Sequence, residues 1–277
     1  MSNKVWLITG ANSGFGKAFA EAAIANGDFV VAAARRPDAL ADLVAAHPGH
    51  VEAVQLDVTD QAAGRAVVDA VVTRHGRIDV LVNNAGRAHV GAAEETTDAE
   101  LRDLFEVHFF GPAELVRAAL PHMRAQGAGA IVQVSSMGGQ MSFAGFSAYS
   151  ATKFALEGFT EALADEVAAL GIKVLIVEPG AFRTGLFGSA SASTASDSYQ
   201  GSVGTTRNMV SDAHGSQPGD PAKAAAAVIA ALDAEHTPLR LPLGADALDA
   251  IVGHLDTVRA DISTWEKTIR DTAFDER

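Results

Sequence analysis

Runs of mainly apolar residues at 5–8, 29–33, 51–56, 80–82, 131–134 and 174–177 recur along the chain without alternating with polar positions. Strands read this way when helices cover both faces of their sheet, which predicts a parallel sheet. Between them, 17–26, 40–46, 62–75, 98–123 and 147–170 are alanine-rich and long enough for helices. Gly27, Gly76 and Gly171 stand where helices should stop. The alternation predicts an α/β fold, a Rossmann-type doubly wound sheet with helices on both faces. No internal repeat interrupts it.

One stretch breaks the rhythm. Residues 185–220 are rich in Gly, Ser, Ala and Thr, with few large apolar side chains until Asp220-Pro221 opens another alanine-rich helix. A loop of that length inside a compact domain reads as a mobile lid. A strand-like 239–243 and an amphipathic 246–270 follow, so 221–270 is expected as a helical closure. The expectation is a single domain over 1–277.

Composition narrows the chemistry. Hydrophobic residues make up 48% of the 277, enough for a sizeable core. There is no cysteine, which removes disulfides, thiolate nucleophiles and Cys-ligated zinc. With 34 acidic against 21 basic side chains the formal charge is −13, against a nucleic-acid or anionic-membrane partner held by overall charge. The apolar run at 5–8 breaks at Thr9-Gly10, too short for a signal-peptide core. No apolar run approaches the roughly 18–20 residues of a membrane span. A cytoplasmic protein with no membrane or nucleic-acid partner is expected.

The first strand runs into Thr9-Gly10-Ala11-Asn12-Ser13-Gly14-Phe15-Gly16, and a helix begins at once. Gly10 permits a tight turn, Gly14 lets backbone approach a pyrophosphate, and Gly16 allows close helix–strand packing. The spacing is G-x-x-x-G-x-G, and alone it is also compatible with a plain turn. Strand two ends Ala32-Ala33-Ala34-Arg35-Arg36, with two guanidiniums where an NAD-specific site wants an acid. Arginine forks onto phosphate, which favours NADP(H), with NAD(H) as the other choice. Asp57 and Val58 follow strand three, where the Asp57 carboxylate can accept from an adenine amino group.

Tyr149 and Lys153 share a helix face four residues apart. A phenol is a weak acid–base catalyst at neutral pH, and a nearby ammonium lowers its pKa. Ser136, at the end of strand five, can hold a substrate oxygen. Each feature alone is common; their joint presence with the glycine turn is not.

On these residues the chain resembles the short-chain dehydrogenase/reductase family, its single-domain branch. The matching positions are Thr9–Gly16, Asp57, Asn83-Asn84-Ala85-Gly86, Ser136, Tyr149-x-x-x-Lys153, and Pro179-Gly180 followed by Thr184. They run in family order from residue 5 to about 185. The resemblance implies a seven-stranded parallel sheet and hydride transfer between a nicotinamide and a carbonyl or alcohol carbon. It makes Tyr149 the general acid, Ser136 the carbonyl-orienting hydroxyl, and Lys153 the residue that binds the nicotinamide ribose and depresses the Tyr149 pKa. Asn84, Ala85 and Gly86 would line the cofactor cleft. Pro179, Gly180, Phe182 and Thr184 would hold the nicotinamide end, Thr184 on the carboxamide. It also implies a homodimer or homotetramer.

One position departs from the family. Where an asparagine usually holds a proton-relay water, this chain has His108. An imidazole can donate, accept and titrate, so it can replace the relay, displace its water, or be a tolerated substitution. The substrate pocket is expected from Gly138, Gln140, Phe143, Phe146 and Phe187, with His89-Val90 opposite. This apolar, aromatic set suits a small hydrophobic ketone, aldehyde or secondary alcohol. Two other readings stay open: a non-catalytic NADP(H)-binding sensor or scaffold of the same fold, and an enzyme acting on an imine.

Overall fold

The computed structural model describes residues 4–213 and 215–274, so the first three and last three positions and His214 of the expected lid lie outside it. From its start the chain alternates strand and helix: β1 (Val5–Thr9), α1 (Gly14–Ala25), β2 (Phe29–Ala34), α2 (Ala41–Ala46), β3 (Val51–Gln55), α3 (Gln61–His75) and β4 (Val80–Asn83). A two-residue β5 (His89–Val90) precedes α4 (Asp98–Phe105) and α5 (Gly111–Gln126). Next come β6 (Gly129–Val134), α6 (Ser147–Val167), β7 (Ile172–Pro179) and β8 (Ser191–Ala192). The chain finishes with α7 (Val203–Asp212), α8 (Pro221–Asp233), β9 (Arg240–Leu243) and α9 (Ala245–Arg270).

Seven strands form one sheet in the order β3-β2-β1-β4-β6-β7-β9, every neighbour parallel. This is the doubly wound, Rossmann-like sheet that the strand–helix rhythm predicts. Along β1 the side chains divide between two cores, which is why the run carries no polar alternation. Trp6 and Ile8 pack with Phe19, Val132 and Val228 on the face covered by α1 and α8. Val5 and Leu7 pack with Val68, Leu115 and Leu163 on the face covered by α3, α5 and α6. The order reverses between β1 and β4, and open sheets bind ligands outside the strand ends at that switch point.

Four expectations need correction. The 51–56 run is the sheet's edge rather than an enclosed strand, and Ala53 and Gln55 of β3 are exposed. The 98–123 helix is two helices joined by a π turn at Glu106–Phe110. The 185–220 stretch is not structureless: β8 pairs with β5, and α7 buries Val203, Thr206 and Val210. Its small residues hid a helix that packs through few large side chains. Finally, α9 buries only Ala247 and Ile251, and almost everything beyond is exposed, so the tail does not close the domain. Gly27, Gly76 and Gly171 do end helices, at φ of 86°, 76° and 71°. Among the described residues no helix is long and apolar enough to cross a membrane.

Candidate active site

β1 delivers the chain to the sheet's C-terminal edge, where it turns directly into α1. Gly10 and Gly14 take φ of 63° and 52°, a region that side chains rarely enter. At Gly16 the constraint is space, since a Cβ there would collide with the Gly10 carbonyl oxygen. Asn84 fixes the turn from beside it, its Nδ2 donating to the Thr9 and Gly10 carbonyls at 2.8 and 3.3 Å. The Thr9 hydroxyl accepts from the Asn84 and Ala85 amides, both at 3.0 Å. No side chain caps α1 and no acid occupies its first turn. Its leading amides and positive dipole end therefore suit an anion, and this cradle fits the pyrophosphate of a nicotinamide dinucleotide.

From that cradle a cleft of about 1160 Å³ runs to Ser136 and Tyr149. Asn12, Ser13, Phe15, Asp57, Val58, Ala85 and Gly86 line it, as do Pro179, Gly180, Phe182 and Thr184. Arg35 lines it too; Arg36, one residue on at the cap of the Pro37–Leu40 turn, does not. Asp57 Oδ1 accepts from the Thr59 amide and hydroxyl at 3.0 and 2.8 Å. Partial burial opposes its charge, but Thr59 and the Arg35 guanidinium hold the carboxyl below its usual range. Thr9 and Gly16 lie beneath the lining and act through the turn they shape.

α6 carries Tyr149 and Lys153 on one face, with the Lys153 ammonium 5.8 Å from the ring centroid and donating to the Val134 carbonyl at 2.9 Å. Gly138 leaves the space between Ser136, Ser150 and the Tyr149 ring: a Cβ would stand 3.4, 3.3 and 3.4 Å from them. Burial pushes the Tyr149 phenol up to about 12, with the Ser136 hydroxyl pulling the other way. Burial lowers the Lys153 ammonium to about 8 against the Glu157 charge. Desolvation therefore dominates at Tyr149, and the expected lowering of the tyrosine by the lysine is not what sets its value.

His108 sits buried in the π turn, its ring edge-on to Tyr149 at 5.5 Å. The Arg87 amide donates to Nε2 at 3.1 Å, so the ring proton is on Nδ1, which faces the Thr152 hydroxyl at 2.8 Å. That hydroxyl in turn donates to the Tyr149 carbonyl at 2.7 Å. Burial, then the Lys153 and Arg87 charges, holds the imidazole well below its usual pKa. Both nitrogens are engaged and the ring is neutral, an arrangement that braces α6 and offers no open site for a relayed proton.

The expected substrate wall divides. Gly138, Phe143, Phe146 and Phe187 line the cleft, but Gln140 does not. Its amide turns away to Glu178, with Nε2 2.8 Å from each carboxyl oxygen. His89 also leaves the wall, held in the small β5–β8 sheet by the Ser191 and Ser193 hydroxyls, each at 2.9 Å. Sequence reasoning missed Met209 and Ala213, which follow from the unforeseen α7, and the rim charges Arg87, Asp103 and Glu106.

It also missed a buried polar cluster behind the serine loop. Ser135 donates to Glu157 at 2.5 Å, and Arg240 Nε lies 3.4 Å from Glu157 and 3.3 Å from Glu178. Burial and the Glu157 charge push Glu178 up to about 8, and burial also raises Glu157. Gly139 has no room for a Cβ because the Glu157 carboxyl packs against it. The signal was present: Glu178 is an acid inside the otherwise apolar end of β7, and Glu157 lies one turn past Lys153.

Residues 4–195 match the family model described as short chain dehydrogenase. The chain belongs to the short-chain dehydrogenase family. Its fold superposes on a crystal structure of a short-chain dehydrogenase from Streptomyces avermitilis with a TM-score of 0.95 and 63% identity, covering 99% of this chain and 100% of that one. A short chain dehydrogenase/reductase from Burkholderia phymatum in complex with NAD aligns with a TM-score of 0.83 at 26% identity, over 99% and 98% of the two chains. Among curated proteins, Oxidoreductase BOA17 of Botryotinia fuckeliana (strain B05.10) is 39% identical over 269 residues, 95% of this chain and 97% of the relative. Membership in this family makes the chain an oxidoreductase that uses a nicotinamide cofactor.

Proposed function

We propose that this short-chain dehydrogenase uses NADP(H) to interconvert a hydrophobic ketone or aldehyde and the corresponding alcohol, with Tyr149 as the general acid and base. The observation that carries the reading is the convergence of Tyr149, Ser136 and Lys153 at one end of a cleft whose other end is the glycine cradle. A phenol near pKa 12 stays protonated at neutral pH and is ready to donate in reduction. The Ser136 hydroxyl holds the carbonyl oxygen, and Tyr149 Oη gives that oxygen its proton. The Lys153 ammonium beside the ring stabilises the phenolate left behind. Bound in the cradle, a reduced nicotinamide supplies the hydride; Thr184, Pro179, Gly180 and Phe182 would hold its ring end and Arg35 its 2′-phosphate.

Phe143, Phe146, Phe187 and Met209 give the substrate end an apolar wall, which supports a hydrophobic substrate. We further propose one domain, with the segment from β8 through α7 as a lid over that wall. The reading is tested by following NADPH and NADH oxidation in parallel against aryl ketones, aldehydes and steroid-like ketones. Turnover with NADPH preferred supports it. Tight nucleotide binding without turnover on any carbonyl would support the sensor instead, and equal or better use of NADH would remove the role given to Arg35.

A further inference from the structure

α9 carries an apolar seam that none of the described residues covers. α9 is 26 residues long, about 39 Å, and leaves the body after Ile251. Beyond that point Leu255, Val258, Ile262, Trp265 and Ile269 follow one another at alternating steps of three and four residues. All are exposed, Ile262 by 55% and Trp265 by 62%. A three–four repeat on an isolated helix face is the pattern of a two-helix seam rather than of a helix lying on a globular body.

We propose that α9 pairs with α9 of a second copy of this chain, antiparallel, over roughly its last four turns. The flanking charges select both the partner and the direction. In an antiparallel pair with Ile262 opposite Trp265 of the second copy, Arg259 faces Glu266 of the second copy, and symmetry makes the pair twice. A parallel pair would set Asp261 against Glu266 of the second copy, two like charges. It would also bring both bodies to the same end, whereas the antiparallel pair places them at opposite ends. Glu266 is already held at 2.7 Å by Arg270 of its own helix, an exposed pair that can admit a second guanidinium. A lipid surface fits less well, because the helix has five acidic against three basic side chains.

Sedimentation of the full chain over a wide concentration range tests the pairing. Ile262→Glu should halve the particle mass while nucleotide binding persists, since Ile262 is remote from the cleft. Arg259→Glu alone should weaken the pairing, and Arg259→Glu combined with Glu266→Arg should restore it. Trp6 is buried, so acrylamide quenching reports on Trp265, which should be protected in the assembled wild type and accessible in the Ile262→Glu variant. Unchanged mass for Ile262→Glu, or a freely quenched Trp265 in the wild type, would overturn the pairing. Failure of the charge exchange to restore mass would overturn the antiparallel register. Co-sedimentation with phosphatidylcholine vesicles in place of self-association would assign the seam to lipid.

Discussion

The two ends of the cleft are built differently. The nucleotide end is backbone: positive-φ glycines, an uncapped helix start, and an asparagine bonded to main-chain carbonyls. The substrate end is side chains brought from α6, the loop after β6, and α7, with a buried carboxyl cluster behind them. Backbone features are local, so neighbouring residues dictate them. Side-chain walls are tertiary, and they depend on which face each distant segment presents. Substitutions at the first end should therefore act through nucleotide affinity, and substitutions at the second through turnover.

The largest effect tests the substrate end. Tyr149→Phe should lower kcat roughly 10²–10⁴-fold with nucleotide affinity retained, because it removes the proton donor and leaves the cradle intact. Single-turnover and binding measurements separate the two; equal losses in both would collapse the distinction. Gly16→Ala is the counterpart. Its Cβ meets the Gly10 carbonyl, and overpacking of about 1–3 kcal/mol should appear as roughly ten- to hundredfold weaker nucleotide binding. Arg35→Ala should raise the KM for NADPH about tenfold and leave NADH little changed, while Arg36→Ala, outside the cleft, should do neither.

The carboxyl cluster gives a pH signature. Glu178 titrates near 8 in the folded protein, above its unfolded value, so the native state holds an extra proton between the two. Its contribution to stability is complete below the unfolded pKa and is lost as pH rises through about 8. Glu178→Gln mimics the protonated acid and should lessen the fall in melting temperature across that window, measured against the wild type. Identical pH profiles would show that Glu178 does not hold this proton. The smallest effect is expected of His108→Asn. Turnover should stay within about tenfold, the worth of one neutral hydrogen bond in the brace, and loss of most activity would give His108 a dedicated role.

Legibility follows the same division. The glycine turn, Asn84, Ser136 and the Tyr149–Lys153 spacing were readable because each feature is defined over a few consecutive residues. Gln140 was misplaced because its neighbours say that it lies near the site, but not that Glu178 waits on the other side. α7 was invisible because it docks through Val203, Thr206 and Val210 among small residues that resemble loop. The seam on α9 looked like an inward face because a pattern of apolar positions records that a face needs covering, not which molecule covers it.

The π turn at Glu106–Phe110 has a consequence for how this chain tolerates change in length. A π turn is an α-helix holding one residue more than its period allows, and it sets the phase of α5 relative to α4. Deleting one of these five residues should relax the turn to a regular α-helix and leave α5 in phase, whereas deleting a residue from the start of α5 itself would rotate everything after it by about 100°. A residue lost from the start of α5 would take Leu115, Val116, Ala119 and Met123 out of the core together. Loss of a single codon should therefore be tolerated in the π turn far better than in the helix that follows it.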